Sequence, residues 1–170
     1  MNIYLINGRP RAGKDTFVQY CQQHSGDSYI WNVSTVDKVK EAATILGWDG
    51  EKTSEMRYFL SDLKDLSEKY LNSSYNYILD TIARAEKVGN VGAIFIHCRE
   101  PNQLRELKDK LNAKCILVYH NREDTEEELT NHADIDVYLF SGYDITIDNS
   151  GTLEDLREKA IEFLQKEGIV

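Results

Sequence analysis

G-R-P-R-A-G-K-D-T, residues 8–16, is the stretch on which the fold turns. It fits the pattern G-x-x-x-x-G-K. An apolar burst at residues 3–6 precedes it, and Phe17, Val18, Tyr20 and Cys21 follow at helical spacing. A buried strand, a tight loop and then a helix form the context in which such a loop cradles phosphates. Gly8 and Gly13 allow backbone conformations that turn successive N–H groups inward. The positive end of the helix dipole adds to them, and Lys14 reaches the outer phosphates. Arg9, Pro10, Arg11, Ala12, Asp15 and Thr16 complete the loop and the helix start, so all nine residues are expected around a nucleoside triphosphate. Average glycine usage puts this pattern in roughly one chain in twenty to thirty of this length. Its position straight after the first strand makes coincidence several times rarer.

Outward from the loop, strands and helices alternate. Residues 29–33 read as a second short strand. Ser34 or Thr35 is placed to cap a helix that carries Val36, Val39, Ala43 and Leu46 on one face. Met56, Phe59, Leu60, Leu63, Leu66 and Tyr70 predict a helix over 53–71, and another runs from about 74 to 88. Residues 91–98 are almost wholly apolar, as a central parallel strand covered on both faces should be. Pro101 opens a helix with Leu104, Leu107 and Leu111, and residues 115–119 make a fourth strand. Residues 122–142 carry many acids without a clean period and read as a loop or short lid. Ile145 and Ile147 alternate with polar residues in a last strand over 143–149, and Thr152 caps the closing helix. The alternation predicts an α/β fold, a parallel sheet with helices on both faces. At 170 residues the chain has room for one such domain, with a helical insertion over 35–90.

Composition narrows the partners. A net charge of −9 argues against a nucleic acid polymer or an anionic membrane, since both favour a basic face. Against that background Arg9, Arg11 and Lys14, within six positions, mark where an anion should sit. Cys21, Cys98 and Cys115 lack C-x-x-C spacing and read as reduced, buried thiols. No run approaches the ~18 apolar residues of a membrane span, and the first residues lack the pattern of a signal peptide. A cytoplasmic protein is expected, as monomer or homodimer.

Further residues carry candidate chemistry. Arg99 follows the buried third strand, so its charge should emerge beside the loop and clamp a phosphate. Arg122 follows the fourth strand and opens the lid. Transfer of a phosphoryl group needs positive charge on its equatorial oxygens, which suits both arginines. His97 and Cys98 stand at the third strand's end, where many such proteins place an acid for Mg²⁺. Asp15 and Thr16 are the alternative metal contacts, with Glu100 behind them. Within the insertion Lys40, Arg57 and Lys64 are the cations available to an acceptor phosphate, and Tyr75 and Tyr77 could stack on a base.

The sequence resembles a known family in several places. G-K-D-T, residues 13–16, is similar to deoxynucleoside monophosphate kinases of phage type, where adenylate kinases show G-K-G-T. V-S-T-V-D-K-V-K-E-A-A (33–43) and I-H-C-R-E-P-N-Q (96–103) resemble segments of those enzymes. So do Arg122 with His132, and Y-D-I-T-I-D-N-S-G-T-L-E-D-L (143–156). The resemblance implies the three-layer P-loop NTPase fold, with five parallel strands in the order 2-3-1-4-5. It also implies ATP and Mg²⁺ on the donor side and a nucleoside monophosphate as acceptor. Two other readings remain beside it: a small-molecule kinase of the dephospho-coenzyme A type, and a nucleotide-binding regulatory protein without transfer activity.

Overall fold

The first strand, β1 (Asn2–Asn7), has four successive buried residues, Tyr4 to Asn7. Side chains of a strand alternate between faces, so both faces of β1 must be covered. The computed structural model, which describes residues 1–51, 53–121 and 136–170, puts β1 at the centre of a five-stranded parallel sheet of order β2-β3-β1-β4-β5. The other strands are β2 (Tyr29–Ser34), β3 (Val91–His97), β4 (Lys114–Tyr119) and β5 (Ile145–Asp148). Ile6 pairs with His97 of β3, and Asn7 with Leu117 of β4. Tyr119 pairs with Asp148 of β5. This register brings the carboxyl ends of four strands to one edge. The strand order expected from the sequence is the observed one.

The chain divides into two compact units, one of Met1–Val33 with Val88–Val170 and the other of Ser34–Lys87. In the first, α1 (Lys14–Gln23) packs beside the last helix, α6 (Leu153–Lys166), while α5 (Pro101–Leu111) lies against β1 and β4. Phe17, Val18 and Cys21 of α1 meet Leu156, Ala160, Phe163 and Leu164 of α6 in one core cluster with Tyr4, Ile6 and Phe95. Its aromatic rings interlock. Tyr4 stacks on Phe95 and meets Phe163 edge-on, each at 5.1 Å between centroids. The Tyr4 hydroxyl emerges from this core to donate to Glu167 Oε2 at 2.7 Å. All three cysteines are buried and free; burial pushes the Cys21 thiol up to about 12 and Cys115 up to about 11. Neither is a thiolate near neutral pH.

The second unit is helical: α2 (Asp37–Ile45), α3 (Ser54–Leu71) and most of α4 (Ser73–Val88). One sequence expectation is met in part here and one changes. Val36 directly precedes α2 and makes no side-chain cap bond, but Ser34, at the end of β2, accepts the Val36 N–H on its Oγ at 3.4 Å and gives its own N–H to the Asp37 carboxylate at 2.7 Å, the exchange of a capping serine. Thr35 O instead accepts the Ser74 hydroxyl. The apolar stripe of α3 fails in its last turns, where Leu66 and Tyr70 stand exposed. There Glu68 takes the inner position, its Oε1 accepting Ser73 Oγ at 3.1 Å and Ser74 N at 2.8 Å. An acid tied to the start of α4 displaces the hydrophobic contact that spacing alone suggests. Among the described residues no helix is long and apolar enough to cross a membrane.

Candidate phosphate-binding site

β1 ends at Asn7 and α1 begins at Lys14, so the loop between them spans six residues at the carboxyl edge of the sheet. In open parallel sheets this edge is where ligands bind. Gly13 is the residue before α1 and is left-handed, at φ 95°. A Cβ there would come within 2.3 Å of Asn149 Nδ2. At Gly8 a Cβ would lie 2.2 Å from Val118 O, so β1 and β4 meet too closely for any side chain. Both glycines of the motif are therefore required by close approach as well as by conformation. Arg11 adds a second left-handed residue at φ 57°. A non-glycine residue held there costs on the order of 1 kcal/mol, so the surrounding bonds must fix the loop.

Those bonds can be named. Lys14 is only 7% exposed, and its ammonium donates to Gly8 O and Arg9 O, each at 2.7 Å. Asn149, just past β5, donates its amide to Ala12 O at 3.0 Å, while its backbone N–H goes to Tyr119 O at 2.7 Å. On the other side Asn7, fully buried, accepts the Gly8 N–H at 2.8 Å and donates to Arg99 O and to the Tyr143 hydroxyl. The Tyr143 hydroxyl donates in turn to Val137 O at 2.8 Å, and burial pushes it up to about 12. The Arg9 guanidinium lies 4.8 Å from the centre of the Tyr138 ring, a cation–π contact. Tyr138 lies in a short 3₁₀ turn, Asp136–Leu139.

The loop residues Gly8 to Thr16 thus form one structure at one helix start. Lys14, Asp15 and Thr16 make the first turn of α1, where the N–H groups point away from the helix's own carbonyl ladder and, with the helix dipole, favour an anion. Asp15 points outward, its side chain 89% exposed, with Oδ1 3.7 Å from His97 Nε2. The Asp15 carboxylate and Thr16 hydroxyl are the hard oxygen donors that Mg²⁺ takes, which suits a bound metal–triphosphate. Arg99 is exposed two residues beyond β3, and its backbone carbonyl is held by Asn7. Arg122 and His132 lie outside the described residues. In the helical unit Lys40 lies on α2 and is half-buried, Arg57 is exposed near the start of α3, and Lys64 is buried. Sequence reading missed Asn7, Asn149, Tyr138 and Tyr143 as site residues. Asn149 lay within D-N-S-G-T-L, yet its partner is 137 positions away and leaves no local pattern.

No protein-family model matches the chain, and no curated protein does. Among solved structures it is similar to dephospho-CoA kinase from Campylobacter jejuni, with a TM-score of 0.56 and 16% identity over 98% of this chain and 97% of that one. TT1252 from Thermus thermophilus gives 0.54 and 16%, over 98% and 97%. Shikimate kinase from Bacteroides thetaiotaomicron gives 0.52 and 12%, over 99% of each chain. The chain has the P-loop NTPase fold. The likeness runs the length of each chain and is a likeness of fold.

Proposed function

We propose that the chain is an ATP-dependent phosphotransferase whose acceptor is a nucleoside monophosphate, the deoxy form by the resemblance of G-K-D-T and the closing strand–helix unit. The observation that carries this reading is the Lys14 ammonium over the Gly8 and Arg9 carbonyls at the N-terminus of α1. A triphosphate entering there meets a lysine, the loop N–H groups and a helix dipole together. Bound Mg²⁺, held by Asp15 or Thr16, would supply charge neutralisation on the transferred phosphate. The chain's own residues orient the donor and hold the developing charge: Lys14 on the outer phosphates, Arg99 on acceptor or transferred phosphate, Arg122 on the transition state. On the acceptor side Lys40 and Arg57 are the proposed contacts. A monophosphate carries about two negative charges near neutral pH, which one or two such cations balance by charge-assisted hydrogen bonds.

A second reading, a kinase for a coenzyme precursor, draws support from the whole-length likeness to a dephospho-CoA kinase. A third, ATP binding without transfer, draws support from His97 standing at the end of β3. One experiment separates the three. ATP consumption is measured against ribo- and deoxynucleoside monophosphates and dephospho-coenzyme A, each with Mg²⁺. Turnover with one nucleotide class supports the first reading, and turnover with dephospho-coenzyme A alone replaces it by the second. ATP binding with no transfer to any acceptor favours the third.

A further inference from the structure

Asn149 touches the phosphate loop from outside it. Its side-chain Nδ2 donates to Ala12 O at 3.0 Å, and the same nitrogen blocks any Cβ at Gly13. Asn149 is itself fixed. Its backbone N–H bonds to Tyr119 O, and the neighbouring Asp148 carboxylate accepts the Ser150 N–H at 2.9 Å. Ser150 Oγ accepts the Asn121 N–H at 3.0 Å, and Thr152 with Asp155 forms a capping box on α6. A rigid turn therefore presents one amide to one loop carbonyl.

The consequence follows from the peptide plane. The bond between Ala12 and Gly13 is trans, as every peptide among the described residues is. In a planar trans peptide the C=O and N–H point in opposite directions. Holding Ala12 O toward Asn149 therefore turns the Gly13 N–H away from Asn149, the orientation in which it can meet a phosphate oxygen. Gly13, left-handed and without a side chain, has the freedom to let that peptide flip. Burial of Ala12, 1% exposed, does not fix the direction of its carbonyl; the Asn149 amide does.

We infer that Asn149 is a positioning residue for the triphosphate: it locks the Ala12–Gly13 peptide so that the Gly13 N–H faces the phosphates before the nucleotide arrives. This rests on the phosphate-loop reading above and deepens it, because it assigns a residue about 130 positions downstream to the same anion site. A preset N–H costs no reorganisation on binding, which is how preorganised donors gain their strength.

The test measures dissociation constants for Mg²⁺–ATP and for inorganic tripolyphosphate by calorimetry. The proteins are the parent chain, Asn149→Ala, Asn149→Asp and Lys14→Met, with nucleotide-free melting recorded for each. Losing one hydrogen bond's worth of preorganisation should weaken both ligands about tenfold in Asn149→Ala. Asn149→Asp keeps the shape but turns an oxygen toward Ala12 O, so it should bind at least as poorly. If Asn149→Ala does not fold, Asn149→Ser, which keeps a donor in a shorter side chain, replaces it and should show the same paired loss. Loss for ATP with no loss for tripolyphosphate would overturn the inference, since Asn149 would then be contacting the nucleoside. Parent-like affinity for both ligands, in variants that melt as folded proteins, would overturn it too. Lys14→Met separates the two claims: if it binds both ligands like the parent, the phosphate-loop reading itself fails.

Discussion

Asn7 and Tyr143 meet in a 2.9 Å hydrogen bond that joins the last residue of β1 to the segment before β5. The direction of that bond is set by its neighbours. Gly8 N–H occupies Asn7 Oδ1, so the Asn7 amide nitrogen must face both Arg99 O and Tyr143. Tyr143, already accepting, has its one proton left for Val137 O. The first loop residue, the carbonyl of Arg99 and the turn before β5 are thereby tied to one buried amide.

Tyr143→Phe removes the acceptor for Asn7 and the donor for Val137 O while keeping the ring that meets Phe140 edge-on at 4.9 Å. Stranding two buried partners should cost about 1–3 kcal/mol. For a chain of this size that is a fall of roughly 2–4 °C in Tm per kcal/mol. Thermal unfolding followed by circular dichroism checks it. An unchanged Tm would mean that solvent replaces the hydroxyl.

Lys14→Met should lower triphosphate affinity by roughly tenfold to hundredfold, the worth of hydrogen bonds to a charged group. The fold should persist, because β1 and α1 are held by Phe17, Val18 and Cys21 against the core. A small loss of Tm is expected, since the Gly8 and Arg9 carbonyls lose their ammonium donor. Calorimetry with Mg²⁺–ATP reads the first effect and nucleotide-free melting the second.

Much of this site is legible in sequence, for a reason that also limits the reading. Signals carried by neighbours along the chain survive translation into structure. The buried runs of β1 and β3, the threonine cap Thr152 and the loop glycines all depend on residues within a few positions. What is not legible is long-range. Asn149 finds Ala12, and Asn7 finds Arg99, only after the register of four strands brings them together. The same limit explains α2 and α3. Ser34 bonds at the start of α2 as its local sequence suggests, but Thr35 gives its carbonyl to Ser74, 39 positions on, and Leu66 looks buried until Glu68 turns in to hold Ser74.

Acid should weaken the fold through two carboxylates. Burial alone would raise Glu167, yet hydrogen bonds from Lys114 and Tyr4 hold it below its ordinary 4.5. Burial likewise opposes ionisation of Asp144, but Lys108 and the Cys115 N–H hold it below 3.8. In both cases the unfolded chain takes up a proton more readily than the folded one. Their stabilisation is thus fully present above the unfolded values and is lost as pH falls through the folded ones. The Tm should fall from about pH 4.5 downward. Glu167→Gln should lower the Tm at neutral pH and make the acid slope shallower. A slope identical to the parent's would remove Glu167 from the acid response.

The arginines give the sharpest test of transfer chemistry. Arg99 leaves β3 at the loop edge with its backbone carbonyl held by Asn7, so its charge starts from a fixed point. Arg122, outside the described residues, is assigned by its place after the fourth strand. If both act on charge that develops during transfer, Arg99→Ala and Arg122→Ala should lower kcat by roughly 10²–10³, the cost of losing one transition-state donor. For Arg122→Ala, kcat and kcat/KM should fall together with ATP affinity nearly unchanged, because a contact made only in the transition state leaves ground-state binding intact. For Arg99→Ala a rise in acceptor KM at constant kcat would instead mark a ground-state clamp on the acceptor phosphate. Arg122→Lys should not restore the rate, since an ammonium lacks the planar two-donor fork. Parent rates in Arg122→Ala would make that residue a surface charge and leave Lys14 and Arg99 to carry the reaction.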